Sequence, residues 1–253
     1  MSSLGKTLRL SKIIDPSDER AVVVAADHGF MLGPIRGVVD LEKTLKRVIA
    51  GRPDAILLSP GQATHLNHLF RRKDSPALLV RADWTNAFRD KTYTLPARKI
   101  KRVAVASARD AIALGASGIV TYFFVGQSDE EAEARDFELM TLFARECREL
   151  GLPLIVEALP MGERVTGANF ADLDATGMRI AAEAGADALK VLYTGDVDSF
   201  ERAVRAAGIP VLVLGGAKAK TLRDSLEIAE EAIDAGAVGV VYGRQVVQAE
   251  DPG

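Results

Sequence analysis

The sequence predicts a (β/α)8 barrel, an α/β fold in which eight parallel strands are each followed by a helix. Eight short runs rich in Val, Ile and Leu recur along the 253 residues, and near-continuous apolar character is typical of parallel strands buried on both faces. Amphipathic segments that end in Gly lie between the runs, as helices that end at a C′ glycine do. Eight such units in about 250 residues match this barrel, whereas an open doubly wound sheet more often has about five to seven strands.

The predicted strands are short, and each is rich in Val, Ile or Leu. In chain order they cover residues 22–27 (VVVAAD), 54–59 (DAILLS), 77–83 (ALLVRAD), 117–124 (SGIVTYFF), 152–158 (LPLIVEA), 187–193 (DALKVLY), 210–216 (PVLVLGG) and 238–243 (VGVVYG). We treat them as the strands of one domain that covers residues 1–253.

Six amphipathic segments, with apolar residues three and four positions apart, predict the helices between the strands. They cover residues 40–51, 102–115, 129–151, 176–185, 199–208 and 225–236. Several end in Gly shortly before the next strand, as in RAAGIPVLV. After the eighth strand the chain continues only as GRQVVQAEDPG, so we expect the eighth helix to be missing or incomplete.

Composition and charge exclude several classes of partner. The net charge is −3 and no basic block occurs, so we expect no nucleic-acid partner. The sequence contains no run of about 18 apolar residues, the length that would predict a membrane span. The N-terminus MSSLGKTLRLSKIID lacks the apolar stretch of a signal peptide. The single cysteine, Cys147, excludes an internal disulfide and is expected to be a buried helix residue. These features predict a cytoplasmic protein.

Candidate site residues follow from the barrel, because its active site lies at the carboxyl ends of the strands. The polar residues that interrupt or follow the predicted strands include an amine, several carboxylates and two glycine-containing loops. They are Asp27, His28, Ser59, Arg81, Asp83, Tyr122, Glu157, Lys190, Gly215, Gly216, Lys218, Gly243 and Arg244.

Lys190 interrupts the apolar sixth strand, in the stretch GADALKVLYTGD. Since strand residues alternate in direction, outward packing of Leu189 and Val191 would point Lys190 into the barrel. Burial disfavours the charged ammonium, and a buried amine suits a nucleophile that forms Schiff bases. The alternative is a structural lysine that pairs with a carboxylate or extends to the rim.

Two glycine-containing loops follow the last two strands. Gly215 and Gly216 follow the seventh strand with Lys218 close behind, and Gly243 and Arg244 follow the eighth. Loops at these places in the barrel frequently bind phosphate through backbone N–H groups and a helix N-terminus. We therefore expect these five residues to bind a phosphorylated sugar. The alternative is that the glycines only allow tight packing, beside a solvated lysine and arginine.

Four stretches, AADHGFMLGP, GADALKVLYTGD, LGGAKAKT and VVYGR, resemble the archaeal-type class I fructose-bisphosphate aldolases. The resemblance extends to a wider group with aminodideoxyheptulosonate synthase, deoxyribose-phosphate aldolase and the thiolase that cleaves a phosphorylated autoinducer-2 derivative. It implies that Lys190 is the Schiff-base lysine, that Asp27 is the carboxylate near it, and that the glycine loops bind phosphate. It also implies a homo-oligomer.

The fifth strand departs from the family pattern. Where these aldolases have a segment like W-S-Y-P-R-G with a proton-transferring Tyr, this chain has EALPMG, which places Leu159 at the Tyr position. Leu159 cannot move a proton, and the thiolase also lacks that Tyr. Proton transfer then needs another group, with Glu157 as the first candidate and Tyr122 or Asp27 as the others. The structural alternative for Glu157 is an ion pair that holds a neighbouring cation.

Arg81 ends the third strand in RADWTN, where the family has a K-L-N-G-like stretch. Its planar guanidinium suits a second anionic group of the substrate, either another phosphate or a carboxylate. Equally, it would neutralise Asp27 or Glu157. Trp84, three residues later, either lines the mouth of the site or covers the core.

Histidines offer a competing chemistry based on metal. His65 and His68 in ATHLNHLF have the spacing of ligands on one helix face, and zinc-dependent aldolases also use barrels. Both lie beyond the second strand, and the strong zinc patterns are absent. We therefore expect neither a metal nor another cofactor, and we expect His28 to shape the first loop or to orient substrate.

Together these features predict a Schiff-base aldolase that cleaves a phosphorylated ketose, such as fructose bisphosphate, into dihydroxyacetone phosphate and an aldehyde. A thiolase- or synthase-type relative with a different acceptor is the alternative that Leu159 favours. A non-catalytic phosphosugar-binding barrel is the alternative outside enzymes.

Overall fold

The computed structural model describes residues 4–216, 219 and 221–253, and its centre is a closed barrel of eight parallel strands. The strands in this part of the chain are β1 (Ala21–Ala25), β2 (Ala55–Leu58), β3 (Ala77–Arg81), β4 (Asp83–Thr85), β5 (Arg102–Ala104), β6 (Gly118–Val125), β7 (Leu154–Pro160), β8 (Ala188–Val191), β9 (Val211–Leu214) and β10 (Gly239–Tyr242). The barrel order is β1, β10, β9, β8, β7, β6, β3, β2, while β4 and β5 form a small antiparallel pair. All eight predicted strands overlap barrel strands, so the predicted fold class is confirmed.

Helices connect the barrel strands along the chain. They are α1 (Leu4–Leu10), α2 (His28–Leu32), α3 (Leu41–Ala50), α4 (Pro60–His65), α5 (Ala108–Ala113), α6 (Glu130–Leu150), α7 (Phe170–Ala184), α8 (Val197–Ala207), α9 (Leu222–Asp234) and α10 (Arg244–Val247), with a 3-10 turn at Asn67–Phe70. The last helix, α10, has only 4 residues, in agreement with an incomplete eighth helix. In the part of the chain that the structure describes, none of these helices combines the length and apolar character that a membrane span requires.

Capping residues explain where the longer helices begin and end. Asp129, Asp196 and Thr221 each accept a hydrogen bond from a first-turn backbone N–H, at the starts of α6, α8 and α9. Gly151 and Gly208 end α6 and α8 in the left-handed conformation, which glycine adopts without steric cost. The predicted bounds of these three helices lie within about three residues of the observed ones, and the agreement is best for α6, where Asp129 and Gly151 are the ends of the predicted segment.

The predicted helix 102–115 is wrong at its start. Strand β5 occupies its first residues and pairs antiparallel with β4. Two interactions explain the difference. Ser107 and Asp110 form a reciprocal capping box that begins α5 after the strand. The buried guanidinium of Arg102 turns towards Asp83, with Nε 2.5 Å from Oδ2.

Two apolar clusters pack on the two sides of the barrel strands. One fills the barrel at the amino ends of the strands and contains Val23, Leu57, Leu79, Ile155 and Leu212, together with Ile13. The other lies between strands and helices and contains Cys147, whose pKa burial raises to about 12. The prediction that Cys147 is a buried helix residue is therefore confirmed. Inward-facing residues further along the same strands form the next layer of the barrel.

Candidate active site

A cavity of about 350 Å³ lies at the carboxyl ends of the barrel strands. Ten of the predicted site residues line it, namely Asp27, His28, Arg81, Tyr122, Glu157, Lys190, Gly215, Gly216, Gly243 and Arg244. Lys218 lies outside the described residues. The structure thus brings the predicted amine, two carboxylates and both glycine loops into one site.

Lys190 points into the barrel, as the alternation along its strand predicts. Leu189 and Val191 pack in the cluster between strands and helices, whereas Lys190 lines the cavity. The strand register places Tyr122 beside Glu157, and Glu157 beside Lys190. Three neighbouring strands therefore present a phenol, a carboxylate and an amine at one level of the barrel.

Four charged side chains form a buried network in the cavity wall. Lys190 Nζ is 2.8 Å from Oε2 of Glu157, and Arg81 Nη2 donates to the same oxygen at 2.6 Å. Arg81 Nε donates to Oδ2 of Asp27 at 2.8 Å. Because all four residues are at most 6% exposed, water screens these charge-assisted bonds little. Glu157 is therefore in an ion pair and also within direct proton-transfer distance of the Lys190 amine.

The surroundings of Arg81 keep it charged. Its side chain is fully buried, and its guanidinium carbon lies 4.0 Å from the centre of the Tyr122 ring. Burial alone would lower the pKa of Arg81, but Tyr122, Asp27 and Glu157 raise that pKa well above its ordinary value. Of the two roles considered from the sequence, this geometry favours neutralisation of the two carboxylates over binding of a second anion.

The same network sets the protonation of its neighbours. Burial alone would raise the pKa of Asp27, but Arg81 and Lys190 lower it below its ordinary value, which leaves an ionised carboxylate at neutral pH. Burial lowers the pKa of His28, so its imidazole is neutral near pH 7. Burial raises the pKa of Tyr122 well above its ordinary value, so the phenol keeps its proton. Asp27 is therefore a charged carboxylate near neutral pH, and Tyr122 is a neutral phenol that keeps its proton.

The loops after β9 and β10 offer hydrogen-bond donors to an anion. Gly216 has a φ of 59°, in the left-handed region that favours glycine. A Cβ on Gly243 would lie 2.1 Å from Cε1 of His28, so only glycine lets that ring pack here. Arg244 Nη2 donates to the Gly216 carbonyl at 2.8 Å, while its buried Nε has no partner among the described residues. A spare guanidinium donor beside two glycine loops matches what a phosphate requires.

Several features of the site were not predicted from the sequence. Gln245 holds the loop after β9, because its side-chain amide donates to the Gly215 carbonyl at 2.9 Å and accepts from the Ala219 N–H at 3.0 Å. Apolar side chains complete much of the remaining lining, namely Met31, Leu32, Ala87, Phe88, Leu159, Met161, Leu192 and Leu214. No sequence signal distinguishes them, since apolar residues at strand ends also fit a hydrophobic core.

Asp83 lies behind the cavity wall and supports it. Its Oδ2 accepts hydrogen bonds from the Tyr122 backbone N–H at 2.9 Å and from Thr121 Oγ1 at 2.8 Å. The same oxygen pairs with the buried Arg102 guanidinium. Asp83 therefore positions the backbone that carries Tyr122 and does not itself line the cavity.

Four other residues considered from the sequence do not line the cavity, namely Ser59, Trp84, His65 and His68. Trp84 Nε1 donates to the Phe30 carbonyl at 2.9 Å, so its ring covers α2. His68 Nε2 lies 3.2 Å from Oε1 of Glu42. Within residues 4–216, 219 and 221–253, no group of three or more His, Cys, Asp or Glu is placed to hold a metal ion.

Similarity to known proteins extends over nearly the whole chain. A family model described as DeoC/LacD family aldolase matches residues 21–249. An uncharacterized aldolase of Saccharolobus solfataricus is 33% identical over 250 residues, which are 98% of this chain and 90% of that protein. The 2-amino-3,7-dideoxy-D-threo-hept-6-ulosonate synthase of Halobacterium salinarum is 33% identical over 253 residues, which are 100% of this chain and 89% of that protein.

A solved structure agrees with these sequence relatives. It is an archaeal fructose-1,6-bisphosphate aldolase whose catalytic Lys is covalently bound to the carbinolamine intermediate of the substrate. The two structures superpose with a TM-score of 0.83 at 30% sequence identity. The match covers 98% of this chain and 94% of the other.

Proposed function

Because the chain belongs to the DeoC/LacD family of aldolases, we propose that Lys190 forms a Schiff base with the ketone of a phosphorylated substrate and that a carbon–carbon bond is then cleaved. The observation that carries this proposal is the Lys190 amine inside the cavity, 2.8 Å from Glu157 and in the same cavity as the two glycine loops. The similar archaeal aldolase, in which the catalytic Lys is bound to a substrate intermediate, supports it.

Glu157 handles the protons of Schiff-base formation in this proposal. Its Oε2 takes a proton from the Lys190 ammonium, and the free amine attacks the ketone carbon. The attacking nitrogen loses a proton and the carbonyl oxygen gains one, which gives a carbinolamine. Glu157 then returns the proton it took from the ammonium to that oxygen, which leaves as water and forms the iminium. Leu159, at the position of the family's Tyr, has no proton to supply.

Cleavage then uses the iminium as the electron acceptor. A base removes the proton of the substrate hydroxyl, the oxygen electrons form the aldehyde carbonyl, and the electrons of the broken bond convert the iminium to an enamine. We assign this base to Glu157 or Asp27, since both carboxylates belong to the network around Lys190. Protonation of the enamine carbon and hydrolysis release the ketone product, dihydroxyacetone phosphate in the simplest case. Tyr122 supports the Arg81 guanidinium with its ring.

The phosphate of the substrate binds at the loops after β9 and β10. Gly215, Gly216, Gly243 and Arg244 supply backbone and guanidinium donors there, and Lys218 is a further phosphate ligand expected from the sequence. His28, neutral and beside Gly243, orients the substrate. A cytoplasmic location, a homo-oligomer and catalysis without metal or cofactor stay predictions of this proposal.

Borohydride trapping tests the mechanism. The protein is incubated with dihydroxyacetone phosphate or candidate ketose phosphates, reduced, digested and measured by mass spectrometry. We expect a reduced adduct on the peptide that contains Lys190, and none in Lys190→Met. Lys46→Met, which changes an exposed lysine, is the matched control and keeps the adduct. Absence of an adduct with every ketose phosphate overturns the mechanism, and unchanged turnover in Lys190→Met does the same.

A synthase or thiolase with a different acceptor would use the same Schiff base. The observation that favours it is Leu159 at the position of the family's proton-transferring Tyr. Measuring product formation with acyl and amino-acid-derived acceptors, beside aldehyde release, separates the two activities. Faster transfer to such an acceptor than release of aldehyde would identify the synthase or thiolase.

A further inference from the structure

We propose that the substrate carries a single phosphate, at the β9 and β10 end of the cavity, and that the group beyond the broken bond is uncharged and largely apolar. This inference rests on the proposed Schiff-base function and adds the substrate class to it. It makes the second product an uncharged aldehyde and excludes a bisphosphate as the preferred substrate.

The strand order gives the cavity two chemically different ends. Strands β9 and β10, which precede the glycine loops, lie across the barrel from β3 and β6. Lys190 is on β8, and β7, β6 and β3 follow β8 around the ring. A substrate whose phosphate lies at β9 and β10 and whose ketone reaches Lys190 therefore extends its remaining carbons towards β7, β6 and β3.

Apolar side chains line this far end. Met31 of α2 packs in one apolar cluster with Tyr122 of β6 and Leu159 of β7, and Leu32, Phe88 and Met161 pack against this cluster. Met31, Leu32, Phe88, Leu159 and Met161 all line the cavity. Moving an apolar group of the substrate from water to this end of the cavity is favourable. A phosphate would lose its hydration without gaining hydrogen-bond partners from these side chains.

Each cation in the described lining already has another role in the site. They are Arg81, Lys190 and Arg244. Arg81 is fully buried, and its charge is balanced by Asp27 and Glu157, which bind Nε and Nη2, while Nη1 has no partner among the described residues. Lys190 is the reacting amine, and Arg244 belongs to the phosphate end. Asp90 adds a negative charge at the rim, because hydrogen bonds from Thr92 lower its pKa. Among the described lining residues, a second phosphate would therefore meet repulsion without a compensating cation.

Three hydrogen bonds fix the apolar end in place. Trp84 Nε1, Arg89 Nε and Tyr93 Oη donate to the carbonyls of residues 30, 31 and 32 at 2.9, 3.0 and 2.8 Å. Arg89, next to the rim carboxylate, is used in this contact, and its guanidinium carbon lies 5.1 Å from the Trp84 ring centre. Because α2 is held by three successive carbonyls, the apolar wall is preformed, and selectivity does not depend on ordering it during binding.

The aldol direction tests the inference, with dihydroxyacetone phosphate as the donor. The enamine carbon attacks the aldehyde carbon, the aldehyde oxygen takes a proton, and hydrolysis of the iminium releases the joined product and regenerates the lysine. The acceptors are butanal, glyceraldehyde and glyceraldehyde 3-phosphate. We expect kcat/KM for butanal to exceed that for glyceraldehyde 3-phosphate about ten-fold or more, with glyceraldehyde between them.

Variants of the far end change this preference in a stated direction. Met161→Lys places a cation there and is expected to reduce the preference for butanal about ten-fold. Met161→Leu keeps the wall apolar and is expected to retain the wild-type order of acceptors. Asp90→Lys changes an exposed position and provides the same test if the Met161 variant does not fold.

The outcomes separate this inference from the proposed function. Equal or faster reaction of glyceraldehyde 3-phosphate, with the borohydride adduct on Lys190 intact, overturns the inference alone. An intact adduct on Lys190 without any aldol product from butanal also overturns the inference alone. Absence of any adduct on Lys190 overturns the Schiff-base function itself.

Discussion

Arg81→Met removes the side chain that contacts both carboxylates of the buried network. Its bonds to Asp27 and Glu157 are 2.8 and 2.6 Å long, and the three side chains are at most 5% exposed. Removing one partner of a buried ion pair costs about 3–5 kcal/mol, because it leaves an uncompensated charge. We therefore expect the free energy of unfolding of Arg81→Met to be lower than that of the wild type by about 3–5 kcal/mol at pH 8.

The loss depends on pH with a sign that the network determines. In the wild type, burial would raise the pKa of Asp27, but Arg81 and Lys190 lower it. Without Arg81 the burial effect dominates and the pKa of Asp27 rises. Above about pH 4, Asp27 then keeps its proton in the folded variant but loses it in the unfolded chain. The free energy of unfolding of the variant therefore falls as the pH rises above about 4. The loss is therefore smaller at pH 5 than at pH 8.

Urea denaturation at pH 5 and pH 8, followed by circular dichroism, measures this difference. Arg223→Met is the matched control, since it breaks an exposed pair with Glu227 and is expected to leave stability nearly unchanged at both pH values. An equal loss for Arg81→Met at pH 5 and pH 8, or no loss, would refute the view that Arg81 neutralises both carboxylates.

Three further substitutions test other parts of the molecule. Asp174 is buried with neither oxygen partnered among the described residues, and burial raises its pKa to about 8. The free energy of unfolding of the wild type, compared with that of Asp174→Asn, should fall by about 1.4 kcal/mol per pH unit between about pH 4 and pH 8. Urea titrations in which this difference does not depend on pH would contradict the prediction. In Gly243→Ala the added Cβ would displace the His28 ring. We expect this variant to raise KM at least about ten-fold while Tm changes little, as steady-state kinetics and thermal denaturation would show. Gln245→Ala frees the loop after β9 and should raise KM several-fold, as steady-state kinetics would show, while adduct formation at saturating substrate persists.

The barrel strands could be predicted because burial on both faces leaves a continuous apolar run. In such a run a charged residue stands out, as Lys190 does between Leu189 and Val191. Alternation along the strand then gives its direction without any knowledge of the neighbours. The assignment of Tyr122 and Glu157 to the same site followed from the same reasoning, because the carboxyl ends of all eight strands meet at one end of the barrel.

The remaining features depend on contacts between segments that are distant in the chain. The pairing of Arg81 with two carboxylates depends on its full burial and on two distances, which no sequence pattern encodes. The start of the helix predicted at 102–115 was wrong because Val alternating with Ala there also fits an edge strand. The apolar end of the cavity comes partly from α2, whose 5 residues are too few for periodicity to reveal a helix.

The barrel closes where its first and last strands pair, with Ala21 of β1 beside Gly239 of β10. The ring of His28, just after β1, occupies space that Gly243, just after β10, leaves open. The end of the cavity at which we propose that phosphate binds is therefore assembled across this seam. During synthesis on the ribosome, Lys190 emerges before the segment that completes the phosphate end has been made. Under the proposed function, the amine is therefore synthesised before the loop that would hold the phosphate, and turnover requires the closed barrel.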